Sequence, residues 1–213
     1  MIKKEELLFW CVDCQEDFML PEGKLYIKDA EKIIPNLATL TRIAKEENIK
    51  VINTADWHYN DSKELSSTPD FVNTFPQHCM ANTKGAEFID ATKCEDALLV
   101  DYKHEKAPNA QMIMNSREII ILKDAFDVFQ GNPFTRSIVS NIAPRAIFVY
   151  GVATNVCVNQ AILGLVALKQ NVVVIKDAIK ELPNIPFDFS IWKEKGVKFA
   201  TTEDLEKMLL MMF

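Results

Sequence analysis

Ala146-Ile147-Phe148-Val149-Tyr150-Gly151-Val152-Ala153-Thr154-Asn155-Val156-Cys157 decides the fold. The first five residues are an unbroken apolar run of strand-forming type, closed by Gly151. Such a run reads as a strand buried on both faces. A helix is expected straight after it, over 155–169. Working outward from this strand–helix pair, the same alternation recurs. Apolar runs predict strands at Leu7–Val12, 50–55, 98–102, 118–122, 171–175 and 197–200. Helical spacing of Ile33, Ile34, Leu37, Leu40, Ile43 and Ala44 predicts a helix over 30–47, with Pro35 in its first turn, where proline is tolerated. Further helices are expected at 133–142, 187–195 and 202–212. Strands alternating with helices imply a mainly parallel sheet with helices on both faces. Residues 1–213 therefore read as one doubly wound α/β domain. Only the connection over 57–84 is long and polar, the kind of segment that usually carries function.

Composition narrows the class. A chain of 213 residues can bury one sizeable core. Hydrophobic residues make up 48% and charged residues 25%, as in an ordinary globular protein. The net charge of −6 argues against a nucleic-acid partner, which needs a basic surface. No stretch approaches the ~20 apolar residues that span a bilayer, so no membrane partner is expected. The start, Met1-Ile2-Lys3-Lys4-Glu5-Glu6, lacks the apolar core of a signal peptide. A cytoplasmic location is the expectation. Five cysteines at irregular spacing do not resemble a disulfide framework.

In open α/β sheets, ligands bind beyond the carboxyl ends of the strands. The polar residues at those ends are Asp13, Asp56 with His58 just after it, Lys123, and the segment leading to Cys157. Four strands thus deliver an acid, a ligand pair, a lysine and a cysteine to one edge of the sheet. Cys157 lies near a helix start, where unpaired N–H groups and the helix dipole favour a thiolate. A buried cysteine filling the helix–sheet contact is the competing reading. Asp13 as base and Lys123 as thiolate partner tip the balance towards a nucleophile. Asp56-x-His58, with His78 on the same long loop, can close a three-ligand metal site; ordinary loop histidines are the alternative. Cys11-x-x-Cys14 has the spacing of a redox dithiol, but Cys11 lies inside an apolar run and the next helix is expected only much later. Cys79 and Cys94 read as structural.

These residues match a known pattern. Val12-Asp13-Cys14-Gln15-Glu16-Asp17-Phe18, Asp56-Trp57-His58, Phe75-Pro76-Gln77-His78-Cys79, Lys123 with Phe126-Asp127-Val128-Phe129, and Gly151 to Val158 are its anchors. On these motifs the chain resembles the isochorismatase-like cysteine hydrolases over nearly its whole length. Within them it is most similar to the nicotinamidases. The resemblance implies an Asp13, Lys123 and Cys157 triad, and a cis peptide before Ala153 that joins the Ala153 and Cys157 N–H groups into an oxyanion hole. It implies one divalent metal, zinc ahead of iron or manganese, on Asp56, His58 and His78, the fourth position falling to Ser62, Glu64 or water. It implies that Phe18 and Phe75 sandwich the substrate's pyridine ring. The implied reaction is hydrolysis of nicotinamide to nicotinic acid and ammonia through a thioester, a step in NAD salvage. A homo-oligomer is open on the same ground. The family often has glycine where Asn82 and Asp124 stand; Asn can adopt the left-handed backbone, whereas Asp124 bears on the electrostatics of Lys123. The alternatives are another small amide of maleamate or carbamoyl type, a thiol redox protein using Cys11 and Cys14, and a non-catalytic binding domain.

Overall fold

The computed structural model describes residues 3–183 and 185–211. Seven strands make one sheet: β1 (Leu7–Val12), β2 (Lys50–Asp56), β3 (Ala97–Val100), β4 (Glu118–Lys123), β5 (Ala146–Val152), β6 (Val172–Lys180) and β7 (Lys198–Ala200). Every pairing is parallel, and the spatial order is β3-β4-β2-β1-β5-β6-β7. From β1 the chain places β2 alongside, goes out to the edge for β3 and returns to fill the gap with β4, then crosses back to lay β5 along the other side of β1. The strand order therefore reverses between β1 and β5, and a crevice opens at their carboxyl ends.

Side chains alternate across the sheet, so each strand feeds two cores. Leu7, Phe9 and Cys11 of β1 face one core, and Leu8, Trp10 and Val12 face the other. The first core is closed by α2 (Ile34–Glu46) and α8 (Thr202–Leu210) through Leu37, Leu40, Ile43, Leu205 and Leu209. The second is closed by α5 (Thr135–Ile142) and α6 (Asn159–Ala167), with Trp192 from α7 (Ser190–Glu194). Three short helices complete the set: α1 (Glu16–Met19), α3 (Ala110–Asn115) and α4 (Val128–Gly131). Thr201 caps α8 in a reciprocal capping box with Asp204.

The doubly wound architecture agrees with the sequence expectation, while several boundaries differ. The third strand begins at Ala97 and stops at Val100, so 101–102 lie beyond it. β6 runs on to Lys180 after its register against β5 slips between Val149 and Gly151. The helix expected over 133–142 starts at Thr135, and that over 187–195 shrinks to Ser190–Glu194. The segment after β5 opens as a π-helical turn, Thr154–Val158, before α6. Met212, the last residue of the expected C-terminal helix, lies outside the described residues. No helix among them is long and apolar enough to cross a membrane.

Gly151 has a specific task. Its φ is +111°, and a Cβ there would sit 2.1 Å from the Val12 carbonyl oxygen. Glycine lets β5 press against β1 at the point where their two following loops diverge. The long connection after β2 lies over the same end of the sheet. Single bridges within it, His58 to Met80 and Leu65 to Phe75, fold it on itself, and Asp17 of α1, whose Oδ2 accepts from the Cys79 N–H at 2.7 Å, ties it down.

Candidate active site

Asp13 leaves β1 with φ +48°, and its carboxylate turns into the crevice fully buried. Thr54 on neighbouring β2 donates its hydroxyl to Asp13 Oδ1 at 2.6 Å. Lys123, the last residue of β4, is also fully buried. Its Nζ lies 2.9 Å from Asp13 Oδ2 and 3.9 Å from Cys157 Sγ, and makes a second ion pair with Asp56 Oδ1. A carboxylate oxygen of Asp13, one of Asp56 and Cys157 Sγ all lie within 4.8 Å of one another. The four residues singled out from separate strands, Asp13, Asp56, Lys123 and Cys157, thus converge around one point. The Val152–Ala153 peptide is cis.

The electrostatics follow from burial around one ammonium. Burial pulls the Lys123 pKa down, but Asp13 and Asp56 outweigh it and hold the ammonium well above its usual range. Burial pushes the Cys157 thiol well up, against the pull of Lys123. Asp13 is raised by burial for the same reason, again against Lys123, which makes it a stronger base than an exposed carboxylate. Burial also works to raise Asp56, yet Lys123, His78 and His58 together hold it far below the usual carboxylate range.

Asp56 faces a second group. Ligand atoms of Asp56, His58, Glu64 and His78 lie within 4.8 Å of one another, and all four residues are buried. His78 Nδ1 is 2.7 Å from the Pro76 carbonyl oxygen. A carbonyl only accepts, so Nδ1 carries the proton and Nε2 the lone pair. His58 Nδ1 lies 3.0 Å from Asp124 Oδ1 and 3.0 Å from Ser62 Oγ, which likewise leaves Nε2 as the inward lone pair. Both Nε2 atoms point towards Asp56 Oδ2, at 3.5 Å from His78 and 3.9 Å from His58. His58 Nε2 and Asp56 Oδ2 are buried without a hydrogen-bond partner. Buried polar atoms are almost always partnered; inward lone pairs on two imidazoles and a carboxylate fit a divalent cation. Two nitrogens and two carboxylates are a donor set suited to zinc.

Among the fourth-position candidates, Glu64 joins the ligand group, whereas Ser62 sits on the outer nitrogen of His58. Glu64 is pushed up to about 7 by burial and the Asp56 charge, and its Oε2 accepts from the Phe126 N–H at 2.6 Å.

Beside Cys157 and this group lies a narrow cleft lined by Phe18, Leu25, Ile27, Phe75, Ala153, Val156 and Leu182, with Asp56, Glu64, His78 and Cys157. This slot holds about 300 Å³ of empty space. The Phe18 ring lies 5.2 Å and the Phe75 ring 6.3 Å from that of His78.

Several supporting residues carried no role in the sequence. Gln15 donates to the Asp56 and Ala86 carbonyls and accepts from the Asp56 N–H, locking the end of β2. Asn155 donates to the Leu182 and Ile185 carbonyls and accepts from the Leu182 N–H, pinning that loop over the slot. Asp124 turns to His58 rather than to Lys123. Asn82 adopts the left-handed backbone, φ +62°. Cys11 and Cys14 are both buried with sulfurs 3.5 Å apart, and burial pushes the Cys11 thiol well up, the opposite of a reactive dithiol.

Comparison with known proteins agrees with this geometry. Residues 7–204 match the isochorismatase domain. The nicotinamidase of Saccharomyces cerevisiae is 21% identical over 196 residues, 82% of this chain and 88% of the yeast enzyme. The Pyrococcus horikoshii pyrazinamidase, solved in complex with zinc, superimposes with a TM-score of 0.70 at 26% identity, covering 92% of this chain and 99% of that one. The N-carbamoylsarcosine amidase of Thermoplasma acidophilum shares the fold, with a TM-score of 0.69 at 17% identity over 92% of this chain and 96% of that one. The chain belongs to the isochorismatase family of hydrolases, and its likeness within that family is to the nicotinamidases.

Proposed function

We propose that this hydrolase is a cysteine amidohydrolase converting nicotinamide to nicotinic acid and ammonia. One observation carries the proposal: the Asp13, Lys123 and Cys157 cluster adjoins the Asp56, His58, Glu64 and His78 group through the Lys123–Asp56 ion pair, and Cys157 shares one narrow, aromatic slot with Asp56, Glu64 and His78. Asp13 takes the proton of Cys157, and Lys123 steadies the thiolate. The thiolate attacks the carboxamide carbon, with the Ala153 and Cys157 N–H groups as oxyanion donors, an interaction worth about 3 kcal/mol per donor. Asp13 returns the proton to the leaving amine, ammonia departs and a thioester remains. Asp13 then draws a proton from water, which hydrolyses the thioester and frees the thiol. Asp56, His58, Glu64 and His78 would hold the divalent cation, zinc first. When bound it supplies a Lewis acid that receives the ring nitrogen of the substrate. Phe18 and Phe75 flank the ring.

The lining favours an aromatic ring over the aliphatic maleamate- and carbamoyl-type alternatives: Phe18, Leu25, Ile27, Phe75, Val156 and Leu182 make its walls largely apolar. A neutral heteroaromatic amide suits such a slot.

The test is ammonia release from nicotinamide, pyrazinamide, benzamide, maleamate and N-carbamoylsarcosine, with and without chelator. Nicotinamide and pyrazinamide, each with a nitrogen meta to the amide, should turn over fastest and lose activity with chelator. Benzamide should lag far behind. A best substrate among benzamide or the aliphatic amides rules the proposal out.

A further inference from the structure

We propose that Asp124 is a positioning residue that fixes His58 for cation binding and adds a charge that tightens it. This rests on the metal group in the function proposed above. Asp124 Oδ1 lies 3.0 Å from His58 Nδ1, on the side of the ring away from Asp56. A carboxylate there takes only the Nδ1 proton, so Nε2 is kept as the inward lone pair. It also raises the basicity of that lone pair, as a carboxylate behind a metal-binding imidazole generally does.

The backbone sets Asp124 up for this. It follows Lys123 directly, and its N–H donates to the Gly131 carbonyl at 3.3 Å. Gly131 permits that close turn, since a Cβ there would sit 2.8 Å from the Ala125 nitrogen. Ser62 Oγ, 3.0 Å from the same Nδ1, can orient the ring but brings no charge. Asp124 is part-exposed, with 32% of its side chain accessible, so its carboxylate stays hydrated while its inner oxygen holds the imidazole. A single β4 exit therefore serves both halves of the site: Lys123 turns to Asp13, Asp56 and Cys157, and Asp124 turns to His58.

The test is zinc affinity of the full chain, stripped of metal and measured by competition with a chromophoric chelator, in wild type, Asp124→Gly and Asp124→Asn. Asp124→Gly should weaken zinc binding by about 10–100-fold. Asp124→Asn, whose amide oxygen still accepts from Nδ1, should lose less. The melting temperature of the metal-free chain should be unchanged in both, and the cobalt(II) absorption spectrum should keep its wild-type form. Tight zinc binding by wild type with equal affinity in Asp124→Gly overturns this role alone. An altered cobalt spectrum would make Asp124 a ligand instead, and a loss of affinity tracking a fall in metal-free melting temperature would make it merely structural; either overturns the proposal. Wild type that takes no zinc fells the metal reading and this one together.

Discussion

Cys157 is a poor thiolate until something shifts its proton, because burial outweighs the ammonium 3.9 Å away. Substrate entry beside Asp13 and Lys123 is where that shift is expected. Replacing Cys157 by Ala should abolish amide hydrolysis while circular dichroism and melting temperature stay near wild type; activity within a few fold of wild type would sink the mechanism. Thr54 tests the orientation of the base. Its hydroxyl is a 2.6 Å donor to Asp13 Oδ1, and a hydrogen bond to a charged group contributes about 1.5–3 kcal/mol. Thr54→Val, close in shape, should lower kcat/KM by about 10–100-fold, each ~1.4 kcal/mol being tenfold. An unchanged kcat/KM would mean that Lys123 alone holds Asp13. At this scale the sequence is legible where a residue ends a strand or follows one closely: the positions of Asp13, Asp56, Lys123 and Cys157 follow from the strand pattern alone. The roles of Glu64, Thr54 and Asp124 do not. Their contacts run between loop and sheet, which no local pattern encodes; Ser62 and Glu64, equal candidates by sequence, differ in the structure because Ser62 lies on the outer nitrogen of His58.

Elements show the same division. Long apolar runs announced β1, β4 and β5 within a residue or two, because a strand buried on both faces has no polar alternation to confuse it. The short helices α1, α3 and α4 span 4, 6 and 4 residues, too few to show a helical period. The extension of β6 was hidden by Lys176 and Asp177, which sit where its register slips; Asp177 accepts from the Thr202 N–H at 2.9 Å and anchors the start of α8. The junction most sensitive to substitution is the contact of β5 with β1. Gly151→Ala would place a methyl group 2.1 Å from the Val12 carbonyl oxygen, at φ +111°. The strands must then part, a repacking that costs about 1–3 kcal/mol in a filled core. Urea unfolding should show a lower midpoint at an unchanged slope, and because Asp13 and Ala153 flank this contact, activity should fall further than stability. A midpoint equal to wild type would mean that the junction yields freely.

The whole molecule divides into a rigid sheet and a long loop laid over one end of it. Three of the four proposed metal ligands, His58, Glu64 and His78, belong to that loop, while Asp56 closes β2. Backbone bridges at His58 and Leu65 fold the loop on itself, and contacts of Cys79 with Asp17, Glu64 with Phe126 and His58 with Asp124 are among its ties to the rest of the chain. A cation held by all four side chains would fasten the loop to the sheet, so binding and folding are linked. A ligand present at 100 times its dissociation constant stabilises the native state by about 2.7 kcal/mol. In a chain of this size each kcal/mol moves the melting temperature by roughly 2–4 °C. Saturating zinc should therefore raise the melting temperature of the stripped chain by about 5–10 °C, with one zinc per chain by elemental analysis. His78→Ala removes an inward lone pair and should abolish the shift while leaving the metal-free chain folded. The gain should be local as well as global: with zinc bound, limited proteolysis should slow first at the loop tip around the exposed Phe71 and Val72, 45% and 69% accessible. Zinc that leaves both the melting temperature and the cleavage at this tip unchanged would show that the four side chains do not act together on one ion.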